Sequence, residues 1–156
     1  EGITENVSPT WTSENYIGRS EPVWIYERAE RDVSFTLKLF AQTASELDMI
    51  YGKLNKLTSL CYPEYKSDGS LGGKRRMKSP YVALRMGELY GNADFDQTGF
   101  IKSINYIVPE TATWEYKKGK RVPKLITSTI NYQIVHRMPP DFATSFYGKG
   151  MDIGHA

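Results

Sequence analysis

The chain has 156 residues and a formal net charge of +2, so it fits one domain with a single core, and its charge alone favours no particular kind of partner. Cys61 is the only cysteine, which excludes an intrachain disulfide, and no apolar run approaches the roughly 20 residues that span a bilayer. With two histidines and one cysteine, no zinc site of four His and Cys ligands can form within one chain. No phosphate-binding, calcium-binding or catalytic motif is complete in the sequence either, so we expect no catalytic residues, no metal, no cofactor and no membrane partner.

The N-terminal part of the chain predicts β structure. Residues 1–20 contain few apolar residues and indicate an N-terminal arm or a first strand. The segments PVWIYER and DVSFTLKLF follow, joined by residues 29–31, and they predict a β-hairpin. In the second segment, Val33, Phe35, Leu37 and Leu39 share one face, and Ser34, Thr36 and Lys38 share the other.

A single amphipathic helix is predicted over residues 44–61. Thr43 and Glu46 have the spacing of a capping box, which satisfies two backbone N–H groups at a helix start. One apolar stripe recurs at three and four residue steps and must lie on a sheet: Leu47, Ile50, Tyr51, Leu54, Leu57 and Cys61. The pattern makes Cys61 a buried thiol, and Pro63 ends the helix.

Loops and shorter strands are predicted after the helix. Residues 64–80, EYKSDGSLGGKRRMKSP, form a long Gly-rich basic loop, and loops of this length tend to be functional or disordered. YVALRMG and FIKSINYIVP predict strands, the second with Phe100, Ile104 and Tyr106 on one face, and TWEYKKGKRVP predicts a hairpin around Lys118 and Gly119. The apolar pattern then fades, so residues 138–156 form a tail that is disordered or an arm that orders on a partner.

The stretch LITSTINYQIVHR predicts one long strand with two different faces. Ile126, Ile130, Tyr132 and Ile134 share one face with Ser128, and the other face carries Thr127, Thr129, Asn131 and Gln133. An ordinary solvent face usually carries Lys and Glu, so this uncharged face needs an explanation. The pattern as a whole predicts a mainly β (α+β) domain over residues 21–137. Its architecture is an antiparallel β-sandwich or barrel of six to seven strands with one flanking helix.

Several matches along residues 16–137 resemble one family of virus proteins. They lie in the run IGRSEPVWIYERAERDVSFTLKLFAQTASELDMIYGKLNKLTSLCYPEY and, further on, in KSPYVALRMGELY and GFIKSINYIV. The matching positions are Tyr26, Arg31, Ser34, Phe35, Leu57, Leu60, Tyr62, Pro63, Pro80, Leu84, Arg85 and Gly87. This pattern is similar to the tube-like baseplate proteins of contractile-tailed bacteriophages, the tail tube initiators that lie between the central hub and the first tail tube ring.

The resemblance implies a structural role without enzymatic activity. It implies two packed antiparallel sheets and a homo-oligomeric ring, expected to be hexameric, in which one sheet of each subunit joins its neighbours around a lumen. The implied partners are the tail tube protein and the hub protein, with the tape measure and wedge proteins as further candidates. The implied location is the virion baseplate, assembled in the host cytoplasm.

The resemblance also gives the two polar strand faces a role. If these faces line a water-filled lumen, their polar character is explained. The lumen-facing candidates are the uncharged residues Thr127, Thr129, Asn131 and Gln133, with Ser34, Thr36 and Lys38 beside them. The alternative is that another polar element covers this face. Candidates for contacts between subunits or rings are Lys74, Arg75, Arg76 and Lys78.

A second hypothesis is a small basic β-barrel that binds nucleic acid. Two basic clusters support it: Lys74, Arg75, Arg76 and Lys78, and then Lys117, Lys118, Lys120 and Arg121. Both clusters lack the interleaved aromatic residues expected for single-strand binding. We therefore expect no specific nucleic-acid partner.

Overall fold

A computed structural model describes residues 2–67, 75–92 and 95–148, and it describes residues 66, 67, 75 and 76 by their backbone alone. Within these residues the chain forms seven strands and one helix: β1 Ile3–Glu14, β2 Val23–Phe40, α1 Ala44–Ser59, β3 Glu64–Ser67, β4 Arg75–Lys78, β5 Val82–Leu84, β6 Gln97–Ile107 and β7 Leu125–Ile134.

The strands form one large sheet and one small sheet. Five strands pair antiparallel in the order β1-β2-β7-β6-β5, while β3 and β4 form a separate two-stranded sheet. The predicted mainly β fold with one helix is confirmed. The five-stranded sheet stays open, since its described strands do not close into a barrel within one chain.

β7 lies at the centre of the sheet, and its predicted division into two faces is confirmed. Every second residue from Ile126 to Ile134 is buried, and the residues between them are half-buried. The hydroxyl of Tyr132 donates to the carbonyl oxygen of Val82 at 2.6 Å and lies 2.9 Å from that of Gln97, so the buried ring keeps its polar end satisfied. Burial raises the pKa of Tyr132.

The hairpin predicted within residues 23–40 is wrong, because these residues form the single strand β2. Residues 29–31 contain no Gly, Pro or Asn to form a tight turn. The observed hairpin joins β1 to β2, from Ile3 opposite Phe35 to Glu14 opposite Val23. Of the two possibilities for the N-terminal segment, a strand is the one observed.

A β-bulge in β6 changes the predicted face of Phe100. Ile104 lies opposite Ile130 on the core face, but Phe100 lies opposite Gln133 on the polar face. The register shifts between Ile101 and Ser103, so one extra residue reverses the alternation. Ile101 therefore takes the core position that the sequence pattern gave to Phe100.

The capping box that starts α1 is confirmed. The backbone N–H of Glu46 donates to the Thr43 hydroxyl at 3.3 Å, and the Glu46 carboxylate accepts from the Thr43 N–H at 3.2 Å. The helix ends at Ser59, two residues before the predicted end. Cys61 consequently lies just beyond it and is half-buried rather than buried, and its partial burial raises the pKa of the thiol.

Two hydroxyl contacts fix α1 on the core side of the sheet. Thr58 and Tyr106 lie 2.8 Å apart at their hydroxyl oxygens, and Tyr106 is opposite Ser128 on the core face. The Tyr51 hydroxyl donates to the carbonyl oxygen of Pro123 at 3.1 Å. The helix therefore covers the end of the sheet at which β7 begins.

The basic segment 64–80, predicted to be a loop, contains the hairpin of β3 and β4. Glu64 pairs with Lys78, and Tyr65 pairs with Met77. The alternation of Tyr65 and Met77 with charged residues supplies the strand pattern, which the glycines of the same segment obscured. Residues 68–74 lie outside the described residues.

Gly99 supports a testable prediction about packing in the core. A Cβ at this buried position would lie 2.1 Å from the Gln133 carbonyl oxygen and 2.7 Å from the Tyr132 ring. We expect Gly99→Ala to lower the free energy of unfolding by about 1–3 kcal/mol, since backbone and ring must both shift. Urea unfolding followed by circular dichroism would measure the loss.

Gly52 provides the matched control for this substitution. It is exposed within α1, and a Cβ there would meet no atom within 4 Å. Gly52→Ala should raise the free energy of unfolding by about 0.5–1 kcal/mol through helix propensity. Equal effects of the two substitutions would contradict the close approach of β6 and β7 at Gly99.

Candidate functional site

The sheet face opposite the core is polar, and it brings together all seven residues predicted to share one surface. Cross-strand partners in an antiparallel sheet share a face, so the pairings of β2 with β7 define it. Ser34 lies opposite Asn131, Thr36 opposite Thr129 and Lys38 opposite Thr127, and Gln133 continues the row opposite Asp32. We call this surface, with the neighbouring residues of β1 and β6 identified below, the polar face.

Hydrogen bonds between strands organise the polar face. The hydroxyl oxygens of Thr36 and Thr129 lie 3.2 Å apart, and the side-chain amide of Asn131 donates to the Ser103 hydroxyl at 2.8 Å. The Gln133 amide donates to the backbone carbonyl oxygen of Arg31 at 3.2 Å. These side chains therefore satisfy one another across the strands, and no buried charge is needed to hold them.

The polar face extends over two further strands, which the sequence analysis missed. Ser103 and Asn105 of β6 lie opposite Asn131 and Thr129, and Thr4 and Asn6 of β1 lie opposite Ser34 and Asp32. The bulge in β6 hid the alternation on one side. On the other side, the short polar residues of β1 indicated a polar surface. Because the sequence analysis predicted no pairing for β1, these residues could not be assigned to a face of the sheet.

Charges are few on this face and lie near its ends. Asp32 accepts from the Lys102 ammonium at 3.1 Å, and both side chains are partly exposed. Lys102 is the residue at the β6 bulge, and Lys38 stands near the opposite end of the row. Between Asp32 and Lys38 the faces of β2 and β7 present hydroxyls and amides alone.

Two edges of the five-stranded sheet carry backbone groups that no described strand pairs. β1 runs for 12 residues along one edge, with β2 on its inner side. At the other edge, β5 pairs with β6 only from Gln97 to Gly99, which leaves residues 101–107 of β6 without an outer strand. Long unpaired edges tend to pair with another chain.

The described basic candidates, Arg75, Arg76 and Lys78, belong to the small sheet and not to the polar face. Lys74 lies outside the described residues, and Arg75 and Arg76 are described by their backbone in β4. Lys78 is exposed and pairs with Glu64 of β3. The prediction that these four residues contact other subunits is not tested.

A buried ion pair joins β1 to β2 on the core side of the sheet, opposite the polar face. Arg31 is 4% exposed, and its Nε donates to the Glu5 carboxylate. The Tyr90 hydroxyl donates to the second Glu5 oxygen at 2.9 Å. Burial disfavours the charged carboxylate, but the hydrogen bonds from Arg31 and Tyr90 and the Arg31 charge outweigh burial and lower the pKa of Glu5.

Three aromatic rings surround the guanidinium group of Arg31. Its central carbon lies 5.8 Å from the ring centre of Tyr90, 5.6 Å from that of Phe146 and 5.0 Å from that of Tyr147. Nη2 of Arg31 is buried and has no hydrogen-bond partner among the described residues. The ring faces therefore provide part of the electrostatic stabilisation that water would otherwise give this cation.

The C-terminal segment reaches this cluster, which corrects the expectation of disorder or of ordering on a partner. Nη1 of Arg31 donates to the Phe146 carbonyl oxygen at 3.1 Å. Gly148 is buried so close to Gly91 that a Cβ at position 148 would lie 1.7 Å from the Gly91 carbonyl oxygen. Through residue 148 the tail thus packs on its own chain, and residues 149–156 lie outside the described residues.

The described residues hold no cluster of three or more His, Cys, Asp or Glu side chains placed to bind a metal ion. Within the same residues, no helix has the length and apolar character to cross a membrane.

No protein-family model matches the chain, and no curated protein sequence is significantly similar to it.

The buried ion pair leads to a prediction about stability. Arg31→Met leaves the Glu5 carboxylate without its cation in a partly dry site and should lower the free energy of unfolding by about 3–5 kcal/mol. Glu5→Gln combined with Arg31→Met should cost less than the sum of the single substitutions, because each single change removes the same contact. Urea unfolding of the four proteins would measure this coupling.

An exposed pair in the same strand is the matched control. Arg28 contacts Glu30 at 2.9 Å, but the two side chains are 66% and 43% exposed. Arg28→Met should change the free energy of unfolding by less than about 1 kcal/mol, because water screens the pair. A purely additive result for Glu5 and Arg31 would contradict the coupling.

His136 leads to a prediction about pH. Burial and then the nearby Arg31 charge lower the pKa of His136 below its usual 6.5, so the unfolded chain takes up this proton before the folded one. Stability should therefore fall as the pH drops below about 6.5. His136→Gln should flatten this part of a thermal-melting series, whereas Glu5→Gln should change only the part below about pH 4.5, where the unfolded carboxylate becomes protonated. An unchanged slope in His136→Gln would contradict the assignment.

Proposed function

We propose that this protein is a structural component of a contractile bacteriophage tail, a baseplate ring that joins the central hub to the tail tube and initiates tube polymerisation. The observation that carries the proposal is the polar face, whose central positions on β2 and β7 are uncharged, on an open antiparallel sheet with two edges that no described strand pairs. The sequence pattern over residues 16–137, which resembles the tail tube initiators, supplies the family context. In this proposal the protein is not an enzyme.

The strand order supports a closed ring of like-oriented copies. β1 runs antiparallel to β2, β2 to β7, and β7 to β6, so β1 and β6 point in opposite directions at the two edges. When a second copy is placed beside the first in the same orientation, its β6 edge meets the β1 edge antiparallel. Rotational symmetry then continues the sheet from copy to copy and removes both edges.

The two faces of the sheet indicate which side would line such a ring. The core and α1 occupy one side, and the polar face occupies the other. With the helices outside, Thr127, Thr129, Asn131 and Gln133 would line the lumen together with Ser34, Thr36 and Lys38. Hydroxyls and amides hold water and carry no net charge, so they would neither bind a passing chain tightly nor repel it strongly.

The remaining assignments follow from a ring with two different ends. One end would contact the hub protein and the other the tail tube protein, with tape measure and wedge proteins as further neighbours in the virion baseplate. We keep Lys74, Arg75, Arg76 and Lys78 as candidates for contacts outside the ring wall, because Arg75, Arg76 and Lys78 lie in β4, which belongs to the separate sheet.

Disulfide trapping tests the edge junction. In a Cys61→Ser background, Thr4→Cys on β1 is combined in turn with Ser103→Cys, Asn105→Cys or Ile107→Cys on β6, since all four positions share the polar face. We expect at least one pair to give a ladder of covalent oligomers on oxidation, because adjacent strands bring Cα atoms within about 6 Å. Thr4→Cys combined with Lys53→Cys on the exposed side of α1 is the control.

Mixing with the tail tube protein of the same genome tests the initiator role. Closed rings in electron micrographs, and tubes that start from these rings at a tube protein concentration too low for spontaneous assembly, are the expected results. A chain that stays monomeric, forms no covalent ladder and leaves tube assembly unchanged would overturn the proposal.

A further inference from the structure

Residues 113–124, between β6 and β7, fold as a tight hairpin, which we call the connection hairpin. The backbone N–H of Glu115 donates to the carbonyl oxygen of Val122 at 3.0 Å, and that of Lys120 closes the turn on the carbonyl oxygen of Lys117 at 2.9 Å. These bonds confirm the hairpin that the sequence pattern predicts at this position.

Contacts with α1 hold the base of the connection hairpin in place. The Tyr51 hydroxyl donates to the carbonyl oxygen of Pro123 at 3.1 Å, and the Lys120 ammonium contacts the Asp48 carboxylate. The hairpin therefore lies on the helix side of the sheet, away from the polar face. A surface that is already held in its binding conformation loses little conformational entropy when a ligand binds.

One face of the connection hairpin carries two exposed aromatic rings and a cation. Trp114 lies opposite Pro123, which places Tyr116 opposite Arg121, and cross-strand partners at these positions share a face. Tyr116 is 86% exposed and Trp114 is 50% exposed. Residues two apart on an extended strand lie about 7 Å apart, so the two rings are separate surfaces.

The fold interleaves aromatic and basic residues that are separate in the sequence. Both rings precede the basic run KKGKR, so the sequence shows no alternation. The turn brings Arg121 back beside Tyr116, and the lysines of the turn continue from the same end of the hairpin. The expectation that this cluster lacks interleaved aromatic residues is therefore wrong.

Three cations of the connection hairpin are available to a ligand. Lys117, Lys118 and Arg121 are exposed and form no ion pair with another described residue. The other two cations, Lys120 and Lys124, form ion pairs within the chain. With five cationic side chains and one glutamate, residues 113–124 carry a net charge of +4. A ligand of this surface is therefore expected to be an anion.

We propose that the connection hairpin binds single-stranded nucleic acid without sequence preference. The rings of Trp114 and Tyr116 stack on bases, and the three free cations contact phosphates. Both contacts accept any sequence, since every base has an aromatic face and every nucleotide has a phosphate. A duplex fits less well because its bases already stack on one another. Neither contact reads a base edge, so the expectation of no specific nucleic-acid partner still holds.

The combination of groups favours this ligand over two other kinds of anion. An acidic protein surface would pair with the cations but would give the Tyr116 ring no aromatic partner. An anionic bilayer binds through a broad apolar surface, whereas this hairpin offers two separate rings among its cations. Single-stranded nucleic acid presents both a ring and a charge in each nucleotide.

This inference goes beyond the proposed ring and does not depend on it. The connection hairpin shares no residue with the polar face or with the β1 and β6 edges. Binding and ring assembly can therefore fail separately.

Fluorescence anisotropy with a labelled single-stranded oligonucleotide of about eight nucleotides tests the rings. Tyr116→Ala should weaken binding about fivefold to a hundredfold, because one base loses its stacking partner. Tyr116→Phe should bind as the natural chain does, since the phenyl ring can still stack. Tyr16→Ala removes an exposed ring from the turn between β1 and β2 and is the matched control, which should change nothing.

The salt dependence of the same binding tests the cations. Three phosphate contacts predict a slope of about −2 for the logarithm of affinity against the logarithm of salt concentration. Lys117→Gln with Lys118→Gln should reduce this slope to about −0.7. Lys53→Gln with Lys56→Gln on the exposed side of α1 changes the net charge equally and should leave the slope unchanged.

Comparison ligands decide between kinds of partner. No binding, or Tyr116→Ala binding as tightly as the natural chain, would overturn the inference. So would a duplex of the same length, an acidic peptide or anionic vesicles binding as tightly as the single strand. Rings that assemble but bind no oligonucleotide would overturn this inference alone, whereas binding by a chain that forms no ring would support it and count against the ring.

Discussion

The constraint on which this structure depends is that β7 must satisfy two environments at once. Its alternate residues enter a packed core on one side and form a hydrogen-bonded polar surface on the other. Because side chains alternate strictly along a strand, a shift of one residue would place hydroxyls in the core and isoleucines on the polar face. The register of β7 therefore determines the faces of β2 and β6, which pair on either side of it, and through β2 that of β1.

The second constraint is the buried ion pair of Arg31 and Glu5, which lies where β2 stops pairing with β7. Arg31 and Glu5 are neighbours in adjacent strands, and the rings of Tyr90, Phe146 and Tyr147 close over them. A buried pair of this kind adds little stability compared with an apolar contact. Substitution of one partner alone is costly, however, because it leaves the other charge buried without a counter-ion. It ties three distant parts of the chain to one position: the edge strand, the turn before β6 and the C-terminal segment. Beyond this point β2 pairs with β1 alone among the described strands.

Local chemistry made much of the fold predictable. The capping box of Thr43 and Glu46, the helical apolar stripe and the two faces of β7 follow from spacing alone, and each is observed. The face of Phe100 was predicted wrongly because one extra residue, Lys102, interrupts the alternation of β6. The hairpin within β2 was predicted wrongly because a change in composition at residues 29–31 suggested a turn, whereas pairing with β1 continues through these residues. The Arg31 cluster brings residue 5 together with residues 90 and 146, and no local pattern encodes contacts of that separation. The polar face could be anticipated on two strands but not on four, since strand order is a property of the sheet.

The Thr36–Thr129 contact has a consequence for the character of the polar face. Either hydroxyl can be the donor, so the pair can reverse its direction without moving a heavy atom. The Ser103 hydroxyl, which accepts from Asn131, can likewise turn its proton toward water. These hydroxyl positions have no permanent assignment of donor and acceptor, although the amides of Asn131 and Gln133 keep theirs. A group that moved along this face would meet hydroxyls that can change between donating and accepting at each step.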